Sequence, residues 1–156
     1  MKIFLRALIL LLVVIWLGGE LFFPVVAANA FGSLADTHAA GTVVGKCLNF
    51  LHYEGLIAGT LIIVLLLAAH RLQAYLHHVA APIVLTVVML GLTAYSQFSI
   101  IPRMETFRIA AGGSIEGVPE GNPARVGFNQ LHNTSVHVEE GVMVAGLALA
   151  VLLARG

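Results

Sequence analysis

Hydrophobic residues are grouped along the chain into four long runs that are separated by shorter polar segments. The runs lie at about residues 3–28, 48–69, 79–101 and 135–154. Each has about the 20 residues that an α-helix needs to cross a hydrocarbon core of about 30 Å. The sequence lacks the alternation over about ten residues that membrane strands require. The pattern therefore predicts an all-α protein, a four-transmembrane-helix bundle that forms one integral membrane domain over residues 1–156.

The polar segments predict how these helices are connected. Ser33-Leu34-Ala35-Asp36 has the form of a capping box, with Asp in place of the preferred Glu, and predicts a short interfacial helix before the second run. The longest polar segment, about residues 102–133, contains several Gly and Pro residues and predicts one longer outer loop. Within it, Asn122-Pro123 predicts the start of the helix that continues into the fourth run.

Glycine and proline inside the first two runs predict how the helices pack. The pair Gly18 and Gly19, and the pair Gly55 and Gly59 with its spacing of four, predict surfaces that another helix can approach closely. Pro24 predicts a kink or an end of the first helix.

The amino-terminal segment has two possible interpretations. Lys2 and Arg6, the apolar run and then Ala28-Asn29-Ala30 resemble a secretion signal with its cleavage site. The apolar run is longer than a usual signal core, so we expect an uncleaved first membrane span.

Composition agrees with a membrane protein and excludes several other classes. Hydrophobic residues make up 59% of the chain, charged residues make up 10%, and the mean hydropathy is +0.96. The formal net charge is zero, so no nucleic-acid partner is expected. The single Cys47 excludes an internal disulfide, and no phosphate-binding loop or dinucleotide fingerprint is present.

Because consecutive spans cross the membrane in opposite directions, the sequence predicts on which membrane face each charged residue lies. The end of span one, the start of span two, the end of span three and the start of span four share one face, and all eight acidic residues fall on that side. Basic residues divide evenly between the faces, so the positive-inside count is a tie. The other face has very short, acid-free segments that include the amino-terminal basic residues. We therefore expect a bacterial inner-membrane protein with both termini in the cytoplasm and its polar end outside.

Seven ionisable residues on that polar end are candidates for a functional site. They are His52, His132, His137, Glu20, Glu54, Glu139 and Glu140. Ionisable groups at membrane depth are costly, so they are functional candidates by default. Glu20 lies among apolar neighbours with no basic residue nearby in sequence, so we expect its partner to come from another helix. A structural ion pair with a membrane-edge arginine is the alternative for any of these glutamates.

Several chemistries fit these residues. Two histidines on facing helices could ligate the iron of haem b, and imidazole with carboxylate could hold a transition-metal ion. Arg103 and Arg108 could instead bind an anionic or quinone-like headgroup, and His with Glu could form a proton relay. The sequence leaves these alternatives open.

Three short motifs, in order along the chain, carry a resemblance to a known family. They are Trp16-Leu17-Gly18-Gly19 with Phe22-Phe23, Pro102 followed by Arg103 and Arg108, and Arg125-x-x-Phe128-x-x-Leu131-His132-x-x-Ser135. With them the chain resembles, over nearly its whole length, the transmembrane-protein-205-like family, formerly a domain of unknown function. The resemblance implies a four-helix integral membrane protein with distant similarity to copper-resistance D-like and protoporphyrinogen-oxidase J-like bundles. Those bundles have membrane histidines linked to haem or metal, and eukaryotic family members are associated with platinum-drug resistance.

Two hypotheses from different classes follow. In the first, the histidine–carboxylate site at the non-cytoplasmic end binds haem b or a transition-metal ion and serves electron transfer or metal handling. In the second, the chain is an accessory subunit of a larger respiratory or photosynthetic membrane complex, or a homo-oligomer, and its polar cluster is structural. A small-molecule or ion transporter is a third possibility, although no internal repeat is evident.

Overall fold

The computed structural model describes residues 1–75 and 78–155, and this part of the chain is built from helices without a β-strand. The helices are α1 (Lys2–Ser33), α2 (Thr37–Arg71), α3 (Ala80–Tyr95), α4 (Ile101–Ala110) and α5 (Pro123–Ala154). A π-helical segment, Ser96–Ile100, joins α3 to α4, so that Ala80–Ala110 forms one continuous helix.

Four helices are long and apolar enough to cross a membrane. They are Lys2–Ser33, Thr37–Arg71, Ala80–Ala110 and Pro123–Ala154. The four-transmembrane-helix bundle predicted from the sequence is therefore confirmed. At about 1.5 Å per residue, helices of 31 to 35 residues are longer than a hydrocarbon core of about 30 Å. The helices thus extend well beyond the apolar runs of the sequence.

The short interfacial helix expected before the second run does not form as a separate element. Ser33 ends α1, and Asp36 caps α2 directly, because its side chain accepts a hydrogen bond of 2.9 Å from the backbone N–H of His38. Gly41 and Gly45 lie within α2 and do not interrupt it. The residues expected in a separate helix are therefore the first turns of α2.

Two other predictions about helix ends were partly wrong. Pro24 does not end α1, which continues to Ser33; membrane helices tolerate proline because neighbouring groups satisfy the freed backbone carbonyl. The outer loop is shorter than predicted and covers residues 111–122, because residues 101–110 are helical. The predicted start of the last helix is confirmed, since the Asn122 side chain accepts a 2.8 Å hydrogen bond from the Ala124 N–H.

The apolar core lies between all four long helices. α1 packs against α2 and α5, and α3 packs against the same two helices. Trp16 is fully buried and lies against Gly55 and Gly59 of α2, where the missing side chains leave room for the indole ring. The predicted close approach at this glycine pair is confirmed, and Gly19 of α1 likewise lies close to Leu51 of α2.

We expect Gly55→Ala to lower the free energy of unfolding by about 1–3 kcal/mol, the usual cost of overpacking a tight contact. A methyl group at this position would lie 2.7 Å from Cε2 of Trp16, a rigid ring that cannot move aside. The measurement is reversible unfolding in mixed detergent micelles, followed by circular dichroism.

Gly45→Ala is the matched control on the same helix, because a methyl group there would meet nothing within 4 Å. An equal loss of stability in both variants would contradict the packing of Trp16 on Gly55.

Candidate functional site

A group of buried polar side chains lies beside the apolar core and joins all four long helices. We call it the His52 cluster; it consists of Glu20, His52, Ser96, Gln97 and Glu139. These residues come from α1, α2, the π-helical segment and α5. Each lies near the middle of its long helix, because the helices continue past the apolar runs. The cluster therefore lies inside the bundle, near the level at which the polar extensions of the helices meet their apolar runs.

His52 is at the centre of the cluster and is fully buried. Its Nδ1 lies 2.9 Å from Oε1 of Gln97, and its Nε2 lies 2.9 Å from Oε1 of Glu139. An amide oxygen can only accept, so Nδ1–H donates to Gln97 and this bond fixes the tautomer of the ring. Nε2 is then the nitrogen that shares a proton with the carboxyl group of Glu139.

The π-helical segment supplies two consecutive polar side chains to the cluster. Ser96 donates a 2.9 Å hydrogen bond from its hydroxyl to Oε1 of Glu139, while Gln97 binds His52. The wider turn of a π-helix reduces the angle between consecutive side chains, so both can point into the bundle. Such segments are rare and occur frequently at functional sites.

Glu139 makes its two hydrogen bonds with one oxygen only. Oε1 binds both His52 and Ser96, whereas the buried Oε2 has no hydrogen-bond partner among the residues that the structure describes. The residue is 8% exposed, so this oxygen lies in an environment where an unsatisfied charge is costly. Oε2 is therefore a position where a proton or another cation could bind.

Glu20 is the second buried carboxyl group and is 1% exposed. It accepts a 3.3 Å hydrogen bond from the indole N–H of Trp16, one turn earlier on α1. The side chains of Glu139, His52 and Glu54 are near enough to interact electrostatically with it. We expected the partner of Glu20 to come from another helix, but its hydrogen-bond donor, Trp16, lies on the same helix.

Carboxyl groups outnumber basic groups in this part of the bundle. Glu20 and Glu139 are buried, and Glu54 nearby is half-buried, but His52 is the one buried group in the described residues that can carry a positive charge. None of the eight Lys and Arg residues is buried. The cluster therefore carries a net negative charge unless it binds protons or another cation.

The structure separates the other predicted residues from the cluster. His132 is exposed and stacks on Phe128, with ring centroids 6.4 Å apart. His137 is also exposed and pairs with Glu140 at 3.0 Å on the surface of α5. The predicted gathering of three histidines therefore does not occur: only His52 lies inside.

The phase of α5 explains this separation. Its buried residues include Leu131, Ser135, Glu139 and Val142, which follow helical spacing along one face. Glu139 lies at the edge of that face, and His132, only about 20° further around an ideal helix, lies outside it. A sequence without a known buried face cannot distinguish two such positions.

The two arginines predicted to bind a headgroup lie elsewhere. Arg103 is exposed, and Arg108 forms a 2.8 Å ion pair with Glu105 on the same helix. Arg125 lies 3.8 Å from Glu120 and donates to the carbonyl of Val118. The structural alternative, a membrane-edge glutamate paired with arginine, thus describes Glu105 and Glu120 but not the His52 cluster.

Two members of the cluster, and the Trp16 side chain that donates to Glu20, were not predicted as parts of a site from the sequence. Ser96 was not singled out, Gln97 was not connected with His52, and Trp16 was named only within a family motif. A usable signal was present, because Ser96-Gln97 interrupts an apolar run and Trp16 precedes Glu20 by one helical turn.

The side chains do not present a ligand set for haem or metal in this arrangement. Among residues 1–75 and 78–155, no group of three or more His, Cys, Asp and Glu side chains could hold a metal ion. His52 is the one buried histidine in the same residues, and both its ring nitrogens are engaged by protein groups. Binding of haem or metal therefore stays a prediction.

The chain matches the protein-family model described as "Domain of unknown function (DUF4149)" over residues 11–111. This is more than half of the chain. The protein belongs to the DUF4149 family. No curated protein and no solved structure matched the chain.

The DUF4149 match extends from α1 to the end of α4, so it contains Glu20, His52, Ser96 and Gln97. Glu139, on α5, lies outside the matched residues. The family description states no activity.

We expect Glu139→Ala to lower the free energy of unfolding by about 1–3 kcal/mol, because it leaves Nε2 of His52 and the Ser96 hydroxyl buried without their partner. The measurement is unfolding of the purified protein in mixed micelles.

Glu140→Ala is the matched control, since it removes the neighbouring carboxylate from an exposed His–Glu pair. Its effect should stay within about 0.5 kcal/mol. A smaller loss for Glu139→Ala than for Glu140→Ala would contradict the hydrogen bonding described for the cluster.

Proposed function

We propose that this DUF4149 protein binds and transfers a cation inside the membrane at the His52 cluster, and that this cation is the proton. The observation that carries the proposal is the excess of buried carboxyl groups, Glu20 and Glu139, over the single buried imidazole.

The charge argument rests on desolvation. An ionised carboxylate in a low-dielectric interior is costly unless it is paired and hydrogen-bonded. One imidazolium can neutralise only one of the two buried carboxylates, and the cluster contains no lysine or arginine. Uptake of a proton by the remaining carboxylate removes the charge at low cost, and intramembrane His and Glu side chains are the groups that form proton relays.

The geometry provides one proton-transfer step. In one state His52 is doubly protonated and donates from Nε2 to the ionised Glu139. In the other state the proton lies on Glu139 Oε1 and is donated to the neutral Nε2 across the same 2.9 Å contact. Gln97 accepts from Nδ1–H in both states, so it holds the ring in place as a positioning residue while the proton moves.

Two further carboxyl oxygens can accept the next proton. Oε2 of Glu139 has no partner among the described residues, and Glu20 is within electrostatic range of both His52 and Glu139. Ser96 stabilises the ionised form of Glu139 by donating to Oε1. The cluster therefore has more atoms that can accept a proton than it has protons when its net charge is zero. A proton relay needs such unoccupied acceptors.

The resemblance to the transmembrane-protein-205-like family suggests a second candidate occupant of the cluster, a metal ion or haem b. The more distant copper-resistance D-like and protoporphyrinogen-oxidase J-like bundles have membrane histidines linked to haem or metal. By this resemblance, the His52 cluster would bind a metal ion or haem b. A metal cation would also neutralise the excess of buried carboxyl groups, but the described residues present no group of three metal-ligating side chains. His52 would then have to release Glu139 or Gln97 to free a ring nitrogen.

The alternative of an accessory subunit rests on the outer surface of the bundle. Large apolar side chains are exposed on α1 and α2, among them Phe22, Phe50 and Ile57. Lipid or the helices of a larger complex could cover them. Migration of the mildly solubilised protein far above its 16.5 kDa mass would favour the complex.

The proposal is tested by proton flux into liposomes that contain the purified protein and a pH-sensitive dye. A potassium gradient with valinomycin supplies the driving force. We expect flux above that of empty liposomes, and we expect His52→Gln and Glu139→Gln each to reduce this flux at least tenfold. His137→Gln is the matched control, because it alters an exposed histidine–glutamate pair of nearly the same length, 3.0 Å against 2.9 Å.

A second measurement separates binding from transfer. Infrared difference spectra over a pH titration, in water and in deuterium oxide, report protonated carboxyl groups, and Glu20→Gln or Glu139→Gln should remove a band. The absence of both flux and a titrating carboxyl band would overturn the proposal. A Soret band, or stoichiometric metal by elemental analysis, would replace the proton with haem or metal as the occupant.

A further inference from the structure

Thr93 on α3 is a buried threonine whose hydroxyl group behaves differently from those of other threonines in the helices. The residue is fully buried, and its Oγ1 has no hydrogen-bond partner among residues 1–75 and 78–155. Other threonines inside helices donate to the backbone carbonyl four residues earlier; they are Thr42, Thr60, Thr86, Thr106 and Thr134. The Thr93 hydroxyl does not make this local bond, so its hydrogen-bonding capacity is available to another group inside the bundle.

Thr93 lies about one helical turn from the His52 cluster, on the face of α3 that meets α5. Ser96, three residues later, donates to Glu139 of α5, and Met89, four residues earlier, lies against Gly146 of the same helix. Residues spaced by three or four lie on one face of a helix, and three residues rise about 4.5 Å along its axis. Thr93 is therefore between these two contacts with α5 and within about a turn of the Glu139 carboxyl group.

The Glu139 carboxyl group has a complementary need. Its Oε1 accepts from Ser96 and contacts His52, whereas its buried Oε2 has no partner in the part of the chain that the structure describes. Two buried oxygens, one of a hydroxyl and one of a carboxyl group, are thus unpartnered on facing helices about one turn apart. Buried polar atoms are costly unless they are hydrogen-bonded.

The spacing of these two oxygens selects a small polar ligand. Two O–H···O hydrogen bonds of about 2.8 Å each span about 5.5 Å, so one water molecule can bridge oxygens that are a helical turn apart. An apolar ligand would leave both oxygens unsatisfied, and an anion would be repelled by an ionised Glu139. Water donates and accepts at once, and buried waters bind where polar groups otherwise lack partners.

We propose that Thr93 Oγ1 and Glu139 Oε2 bind one internal water molecule, which extends the His52 cluster by one turn along α3. When Glu139 is ionised, the Thr93 hydroxyl donates to the water and the water donates to Oε2. When Oε2 carries a proton, the carboxyl O–H donates to the water and the water donates to Thr93 Oγ1. The carboxyl group, the water and the hydroxyl therefore stay hydrogen-bonded to one another in both states.

Thr93 is thus a positioning residue that acts on Glu139 through the water. The role of this water in proton exchange rests on the proposed function, whereas its binding requires only the two unpartnered oxygens.

Infrared difference spectra between low and high pH test the water site directly. They are recorded in ordinary water and in water enriched with oxygen-18. We expect the wild type to have an O–H stretching band of internal water that shifts with the isotope. Thr93→Val keeps the shape of the side chain but removes its hydroxyl and should lose the band, and Thr93→Ser should retain it.

Thr86→Val is the matched control on the same helix. Thr86 is equally buried, but its hydroxyl donates to the carbonyl of Pro82 on its own helix. This variant should therefore keep the water band.

The stability of Thr93→Val gives a second readout, because its sign depends on the water. Removing a hydroxyl that binds water leaves the water and Oε2 of Glu139 without a partner, so the variant should unfold at a lower denaturant concentration than the wild type. Removing a hydroxyl without a ligand would instead raise this concentration, because a methyl group suits an apolar environment better. Unfolding in mixed micelles measures the difference, and an unchanged or higher midpoint would overturn the water site.

Proton flux into liposomes separates this proposal from the proposed function. Thr93→Val should reduce the flux about tenfold, the factor that corresponds to about one hydrogen bond, whereas Thr86→Val should not. A water band that depends on Thr93 in a protein without flux would support the water site and contradict proton transfer. Wild-type flux without such a band would overturn the water site and leave the proposed function standing.

Discussion

The contact between His52 and Glu139 is the interaction on which the interior of this bundle depends. It joins α2 to α5, and Gln97 and Ser96 connect the same two side chains to the third long helix. Because lipid offers no hydrogen bonds, each of these groups must find its partner inside the protein. These hydrogen bonds favour the register in which the long helices meet at His52, and the apolar core around Trp16 packs beside them.

The same environment makes the site responsive to charge. Moving these groups into water would remove the need for a proton or another cation, whereas burial makes the imbalance between carboxyl groups and imidazole a chemical property of the site. The exposed His137–Glu140 pair has the same composition and nearly the same length but carries no such constraint. Burial, and not the residue pair alone, distinguishes a candidate site from an ordinary surface contact.

Hydropathy and length were sufficient to predict the four spans, and the Asn122-Pro123 signal was sufficient to place the start of the last helix. Glu20, His52 and Glu139 were also identifiable as costly residues at membrane depth. The sequence could not show which face of α5 is buried, so His132 and His137 were grouped with His52. It also gave no signal for the π-helical segment, because that distortion depends on the packing around Ser96 and Gln97 and not on local preference.

The π-helical segment has a consequence for how the third long helix is built. A π-turn contains one residue more than an α-turn, so it offsets the register of every residue after Ile100 relative to those before Ser96. The position of this extra residue therefore decides which side chains of the third long helix face His52.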